Sequence, residues 1–279
     1  IMRFLDNVLQ NYIDTAPDVM SKAVYSAQRE RAVGLGVMGF HSLLQKMGLP
    51  WASPMTKGLN LRIFKHIQQQ TRAASVKLAH ERGPCPDAKE AGVMQRFSYC
   101  TALAPTASIS IICGGASPGI EPRPANAYNH KTKTTNFAVY NRHLKEVLVK
   151  YGQDTEETWS SIMVNNGSVQ HLEFLSDIER EVFKTAFEID QRWIIELAAD
   201  RAPLIDQSQS VNLFIPADVS RKLMHYLHYT AWAKGLKSLY YCRSLSLRRA
   251  ETASARVELK ERNVEDNLSL DGQECLACQ

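Results

Sequence analysis

Ser210-Val211-Asn212-Leu213-Phe214-Ile215 is a short run dominated by apolar residues, and the period changes directly after it. Pro216-Ala217-Asp218 opens a stretch that carries Leu223, Leu227 and Ala231 at four-residue steps and stops at Gly235. Leu236-Lys237-Ser238-Leu239-Tyr240-Tyr241 then resumes a strand pattern. Strand, helix and strand in immediate succession is the unit of a parallel sheet, because parallel neighbours need a crossover long enough to hold a helix. The same alternation extends upstream. Tyr99 to Ala104 is another buried-strand run, and Asn60 to Glu81 sets Phe64, Ile67, Ala74 and Leu78 at helical spacing before a stop at Gly83-Pro84. From Asp177 the residues Ile178, Val182, Phe183, Ala186, Ile189, Trp193, Ile194 and Leu197 predict one amphipathic helix. Short apolar strands between long helices predict a parallel α/β architecture, open or barrel.

Composition bounds the function. The chain has 279 residues, 44% hydrophobic and 22% charged, which is enough apolar material for a sizeable core. A net charge of +4 without a dense basic run gives no ground for a nucleic-acid partner, although an anionic small molecule fits. No stretch reaches the roughly 18 apolar residues of a membrane span, and IMRFLDNVLQ carries charge too early for a signal peptide, so a cytoplasmic protein is expected. Six cysteines are too sparse for a disulfide scaffold. Arg248 to Glu274 is mostly charged or small and polar, with no aromatic residue, and reads as a tail.

Gly34-Leu35-Gly36-Val37-Met38-Gly39 matches the G-x-G-x-x-G pattern of dinucleotide-binding loops. The context argues against that chemistry. The residues before it, Ser26-Ala27-Gln28-Arg29-Glu30-Arg31, are polar rather than a hydrophobic strand, and no acidic ribose ligand stands near Pro54 to Lys57. A tight strand-to-helix packing site is the expectation. After the strand ending at Ala104, Pro105-Thr106-Ala107-Ser108-Ile109-Ser110 places Pro where a first helical turn accepts it and hydroxyls where they cap. Local sequence favours a plain capped helix, but amides and hydroxyls converging beyond a strand also suit a phosphate. Gly119-Ile120-Glu121-Pro122 ends the following turn-rich segment in a carboxylate.

Tyr240 and Tyr241 read locally as strand packing, unless the strand ends there and both phenols turn toward one cavity. Cys275-Leu276-Ala277-Cys278 has no second CxxC to complete a zinc site, and His225 and His228 on a helix are poor substitutes, so no metal is expected. Two thiols near the end of a polar tail suit thiol–disulfide exchange better.

These signals coincide in one family. Arg31-Ala32-Val33-Gly34-Leu35-Gly36-Val37, Ala102-Leu103-Ala104-Pro105-Thr106-Ala107-Ser108-Ile109-Ser110, Gly119-Ile120-Glu121-Pro122, Gln209-Ser210-Val211-Asn212, Gly235-Leu236-Lys237-Ser238-Leu239-Tyr240-Tyr241 and the terminal cysteine pair together resemble the large, catalytic subunit of aerobic ribonucleotide reductase. The resemblance implies the second half of that family's ten-stranded α/β barrel over residues 1–247 and a flexible redox tail over 248–279. It implies reduction of ribonucleoside diphosphates to deoxyribonucleotides by thiyl-radical chemistry. Pro105, Thr106, Ala107, Ser108 and Ile109 would hold the substrate diphosphate. Tyr240 and Tyr241 would relay an electron and a proton, and Cys275 and Cys278 would reduce the active-site disulfide.

None of the six cysteines sits in the family's Asn-x-Cys-x-Glu pattern, so the radical cysteine is expected on an N-terminal part of the large subunit, together with the nucleotide effector sites. The remaining implied partners are a metal-containing, radical-generating small subunit, thioredoxin or glutaredoxin, and a second large subunit in a dimer. No cofactor bound by this chain is implied. An adenosylcobalamin-dependent reductase is a weaker alternative, because it needs no intersubunit tyrosine relay. A non-catalytic remnant is weaker too, because it leaves the paired tyrosines and cysteines without a reason.

Overall fold

The computed structural model describes residues 1–131 and 136–244. In chain order its helices are α1 Met2–Thr15, α2 Ser21–Glu30, α3 Phe40–Lys46, α4 Pro54–Arg82, α5 Pro86–Glu90 and α6 Ala107–Ile112. The strands β1 Ala127–Lys131 and β2 Asn136–Tyr140 follow, then α7 Arg142–Lys150, α8 Glu156–Val164, α9 Asp177–Val182 and α10 Gln191–Arg201. Strand β3 Leu213–Ile215, helix α11 Arg221–Ala233 and strand β4 Cys242–Ser244 complete the described part. None of the helices among the described residues is long and apolar enough to cross a membrane.

Four extended segments lie side by side and run parallel. Leu35 bridges Thr101, Leu103 bridges Gln209, and β3 pairs with β4 in the register Leu213 to Cys242 and Ile215 to Ser244. Backbone bonds continue the ladder beyond the formal strands: Val33 N–H to Tyr99 O at 3.0 Å, Leu103 N–H to Ser208 O at 3.1 Å and Tyr240 N–H to Val211 O at 2.9 Å. Helices fill each crossover, as parallel neighbours require. The strand expected over Leu236 to Tyr241 therefore pairs later, from Tyr240 onward, and Leu236 and Leu239 instead pack against the core.

Burial explains the layers. Phe40 and Leu44 of α3, Phe64 of α4, and Ile194 and Leu197 of α10 pack on Leu103, Val211 and Phe214 of the parallel segments. Each such fully buried side chain contributes roughly 1.5–3 kcal/mol. On α11 the inward residues Leu227 and Ala231 meet Ile195, Leu213 and Ile215. A second core, with Leu144, Leu148, Trp159, Ile162 and Phe183, sits beside the antiparallel β1–β2 hairpin.

Helix ends follow local chemistry. Ser53 caps α4 with Pro54 at its first position, so this helix starts six residues before the expected Asn60, and it ends at Gly83 with φ 86°. The single helix expected from Asp177 to Leu197 is two helices. A capping box between Ser176 and Glu179 starts α9, and Asp190 accepts from Arg192 N–H to start α10. The break lets Phe183 serve the hairpin core while Ala186 and Ile189 serve the main one. Helix α11 begins at Arg221 under a Ser220 cap, leaving Pro216 to Val219 as a turn.

The glycine loop is the packing site expected from its sequence. Leu35 is in the parallel ladder, Gly39 takes φ 81° to start α3, and a Cβ on Gly36 would lie 2.6 Å from the Ala102 carbonyl oxygen. A Gly36→Ala substitution must push two neighbouring backbones apart. It is expected to cost about 1–3 kcal/mol, the usual range for overpacking, read by denaturant unfolding; a change below about 0.5 kcal/mol contradicts the close approach.

Candidate functional site

The parallel segment 99–103 delivers the chain to Pro105. Thr106 then adopts φ 54°, a left-handed conformation unusual for a residue with a Cβ. Its hydroxyl does not cap α6 but accepts Gly119 N–H at 2.7 Å. Gly119 itself has φ 47°, and a Cβ there would stand 3.0 Å from the Ala104 carbonyl oxygen. The loop 105–110 is thereby clamped to Gly119-Ile120-Glu121-Pro122. Ala107, Ser108 and Ile109 open α6 with no side-chain cap, and Ser108 and Ile109 are exposed. The Ser110 hydroxyl turns inward and donates to Ala107 O.

The same segment continues the chain of contacts. Glu121 is buried, and its Oε1 accepts from Asn212 Nδ2 at 2.6 Å. Burial pushes its carboxyl above the usual range, and the Asn212 hydrogen bond and the Arg243 charge only partly oppose that. Asn212 is also buried, and its Oδ1 accepts Tyr241 N–H at 2.8 Å. Two hydrogen bonds through one amide thus join the carboxylate to the tyrosine backbone.

The tyrosines do not point to opposite faces as neighbours in a regular strand would. The Tyr240 hydroxyl donates to the Tyr241 hydroxyl at 3.1 Å, with ring centroids 4.0 Å apart. That hydrogen bond, with a smaller effect of burial, raises the Tyr240 phenol above its ordinary value. The Arg243 guanidinium sits 5.9 Å from the Tyr241 ring centre. Tyr240 also lines an open cavity of about 270 Å³ with Leu103, residues 207–210 and Ser238. Leu103 lies two residues before Pro105, so cavity, loop and tyrosines share one set of strands.

The family description "Ribonucleotide reductase, barrel domain" matches residues 1–95 and 87–242. This chain belongs to the ribonucleotide reductase barrel-domain family. It is 44% identical over 259 residues to a ribonucleoside-diphosphate reductase large subunit of Invertebrate iridescent virus 6, covering 91% of this chain and 27% of that protein. It is 39% identical to a putative ribonucleoside-diphosphate reductase large subunit of Frog virus 3, covering 100% of this chain and 48% of that protein. The alpha subunit of the Actinobacillus ureae class Id ribonucleotide reductase superposes with a TM-score of 0.82 at 38% identity, over 90% of this chain and 46% of that one. The chain therefore spans less than half the length of these relatives.

Within this reductase-family barrel, the structure assembles most of the residues singled out in the sequence. Pro105 to Ser110, Glu121, Asn212, Tyr240 and Tyr241 are joined by the contacts above, whereas Cys275, Cys278 and the 247/248 boundary lie outside the described residues. The helical histidines make local contacts: His228 Nδ1 lies 2.8 Å from Met224 O, and His225 stacks on Tyr229. The double role of Asn212 was not anticipated. Its signal was present, since a buried amide between Val211 and Leu213 must find partners for its donor and acceptor.

Proposed function

We propose that this chain forms part of the catalytic barrel of a ribonucleoside-diphosphate reductase large subunit. The observation that supports this most is the 3.1 Å contact between the Tyr240 and Tyr241 hydroxyls in a barrel of this family. The reaction replaces a ribose hydroxyl by hydrogen. Two thiols supply the two electrons and two protons, and the products are deoxyribonucleotide, water and a disulfide. Pro105, Thr106, Ala107, Ser108 and Ile109 form the loop that holds the substrate diphosphate: the uncapped amides of Ala107, Ser108 and Ile109 and the hydroxyls of Thr106 and Ser108 donate to it, and Pro105, which has no N–H, shapes the turn. Tyr240 and Tyr241 carry an electron and a proton between the radical-generating small subunit and the active-site cysteine. A phenol with a pKa near 10 stays protonated at neutral pH, and the raised Tyr240 value reinforces that. The direct hydroxyl contact gives the proton a path without an intervening water.

Cys275 and Cys278 reduce the disulfide left by each turnover and are reduced in turn by thioredoxin or glutaredoxin. The cysteine that starts the chemistry lies on another part of the large subunit, which pairs as a dimer in the cytoplasm. A polypeptide of these 279 residues alone, supplied with small subunit, effector and dithiothreitol, is expected to form no deoxyribonucleotide. In the whole enzyme, Ser at both Cys275 and Cys278 is expected to reduce thioredoxin-driven multiple turnover to background while the first turnover of pre-reduced enzyme survives. Loss of that first turnover would place these thiols at the substrate instead.

A further inference from the structure

We infer that Glu121 and Asn212 are positioning residues that hold Tyr241 against Tyr240 and tie that pair to the loop carrying Thr106. The inference rests on the relay reading of the two tyrosines. It starts from a cost: a buried carboxyl and a buried amide in the barrel wall are each unfavourable unless their polar atoms are satisfied. Here they satisfy one another. Asn212 Nδ2 donates to Glu121 Oε1 at 2.6 Å, and Asn212 Oδ1 accepts Tyr241 N–H at 2.8 Å.

Tyr241 stands where the parallel ladder needs help. Tyr240 N–H bonds Val211 O and Tyr241 O accepts Leu213 N–H, so Tyr241 N–H, between them, has no ladder carbonyl and is taken by the Asn212 side chain. That side-chain bond fixes the backbone from which both phenols project. Tyr241 is 41% exposed and Tyr240 50%, so apolar packing alone holds them weakly. The hydrogen bonds are the firmer restraint.

The other end of the path reaches the loop. Glu121 lies two residues after Gly119, whose N–H donates to the Thr106 hydroxyl at 2.7 Å, and a side chain on Gly119 would meet the Ala104 and Pro105 carbonyl oxygens. A displacement of loop 105–110 thus reaches Tyr241 through Gly119, Glu121 and Asn212. Neither Glu121 nor Asn212 needs to touch substrate for this. Their effect is on the geometry of the two phenols.

The test uses the large subunit that contains this chain, with a fluorinated tyrosine at position 240 whose phenol is titrated by fluorine NMR. In the unsubstituted background its pKa should lie above that of the free analogue. Asn212→Ala should return it to the free value, and so should Glu121→Leu. Glu121→Gln, which keeps an oxygen facing Asn212 Nδ2, should hold it. With the small subunit added, Asn212→Ala should lower kcat about tenfold, the rate equivalent of one hydrogen bond, with nucleotide KM unchanged. A general loss of stability would move the melting point without moving the phenol. Should Asn212→Ala fail to fold, the contrast between Glu121→Leu and Glu121→Gln decides. A Tyr240 phenol that does not move in these variants overturns the inference, as does an unchanged kcat when Tyr241→Phe is inactive. Normal turnover of Tyr241→Phe would instead overturn the relay reading, and the titration would still report the positioning.

Discussion

Tyr241→Phe is expected to reduce deoxyribonucleotide formation by the assembled reductase to background while nucleotide binding stays intact. The substitution removes one oxygen and leaves the ring. Because that oxygen is the acceptor of the Tyr240 hydroxyl at 3.1 Å, its loss removes both the phenolic O–H that the proposed relay uses for coupled electron and proton loss and the partner of the neighbouring phenol. The fold should barely respond. An exposed hydroxyl contact is worth at most about 0.5–1.5 kcal/mol, and no cavity forms on a partly exposed ring. Turnover and equilibrium nucleotide binding, measured on the same preparation, separate the two effects. Near-normal turnover would leave Tyr240 and Tyr241 with a packing role only.

The second large effect is on stability. Asp6 on α1 is fully buried and faces three guanidiniums: Arg31 at 2.8 Å, Arg82 at 2.7 Å and Arg96 at 3.0 Å. Arg31 and Arg96 are themselves buried. Burial alone would raise the Asp6 carboxyl, but the hydrogen bonds from Arg31, Arg82 and Arg96 outweigh it and hold the group below its ordinary value. Asp6→Asn keeps the shape and removes the charge, leaving buried cations without an anion. Such a loss costs about 3–5 kcal/mol, several times the effect of an exposed ion pair such as Arg3 with Glu81.

The pH dependence has a definite sign. A carboxylate whose folded pKa is depressed contributes its full stability above the unfolded value, near 3.9, and loses it as pH falls through the lower folded value. Denaturant unfolding of the wild type should therefore weaken on acidification in that window. The Asp6→Asn variant should lack this component. A loss below about 1 kcal/mol at neutral pH would show that the three arginines are satisfied elsewhere.

The sequence motifs and the structure agree where the signal is local. Gly83 after Arg82 ends α4 where expected, whereas the start signal, Pro54 after Ser53, lies six residues before the expected Asn60. Gly36 announces a close approach, and the structure shows what approaches it, the Ala102 carbonyl. The apolar runs at Tyr99 to Ala104 and Ser210 to Ile215 lie in the parallel ladder. Local periodicity failed between Asp177 and Leu197. Phe183 and Ala186 fit one helical stripe equally well whether they face one core or two, so only the packing could show that the helix breaks.

By itself, the order of motifs along this chain indicated the family, the α/β class and the glycine, tyrosine and cysteine positions to test, because glycine, proline, aromatic and cysteine positions carry their constraints in their own backbone and side chains. What only the tertiary structure decided is which of those residues meet. Asp6 and Arg96 are 90 residues apart, and Glu121 and Asn212 are 91 apart. A buried charge or amide states in sequence only that it needs a partner; the choice among distant candidates is made when helices and parallel strands close around it and the unpaired arrangements become too costly to occupy.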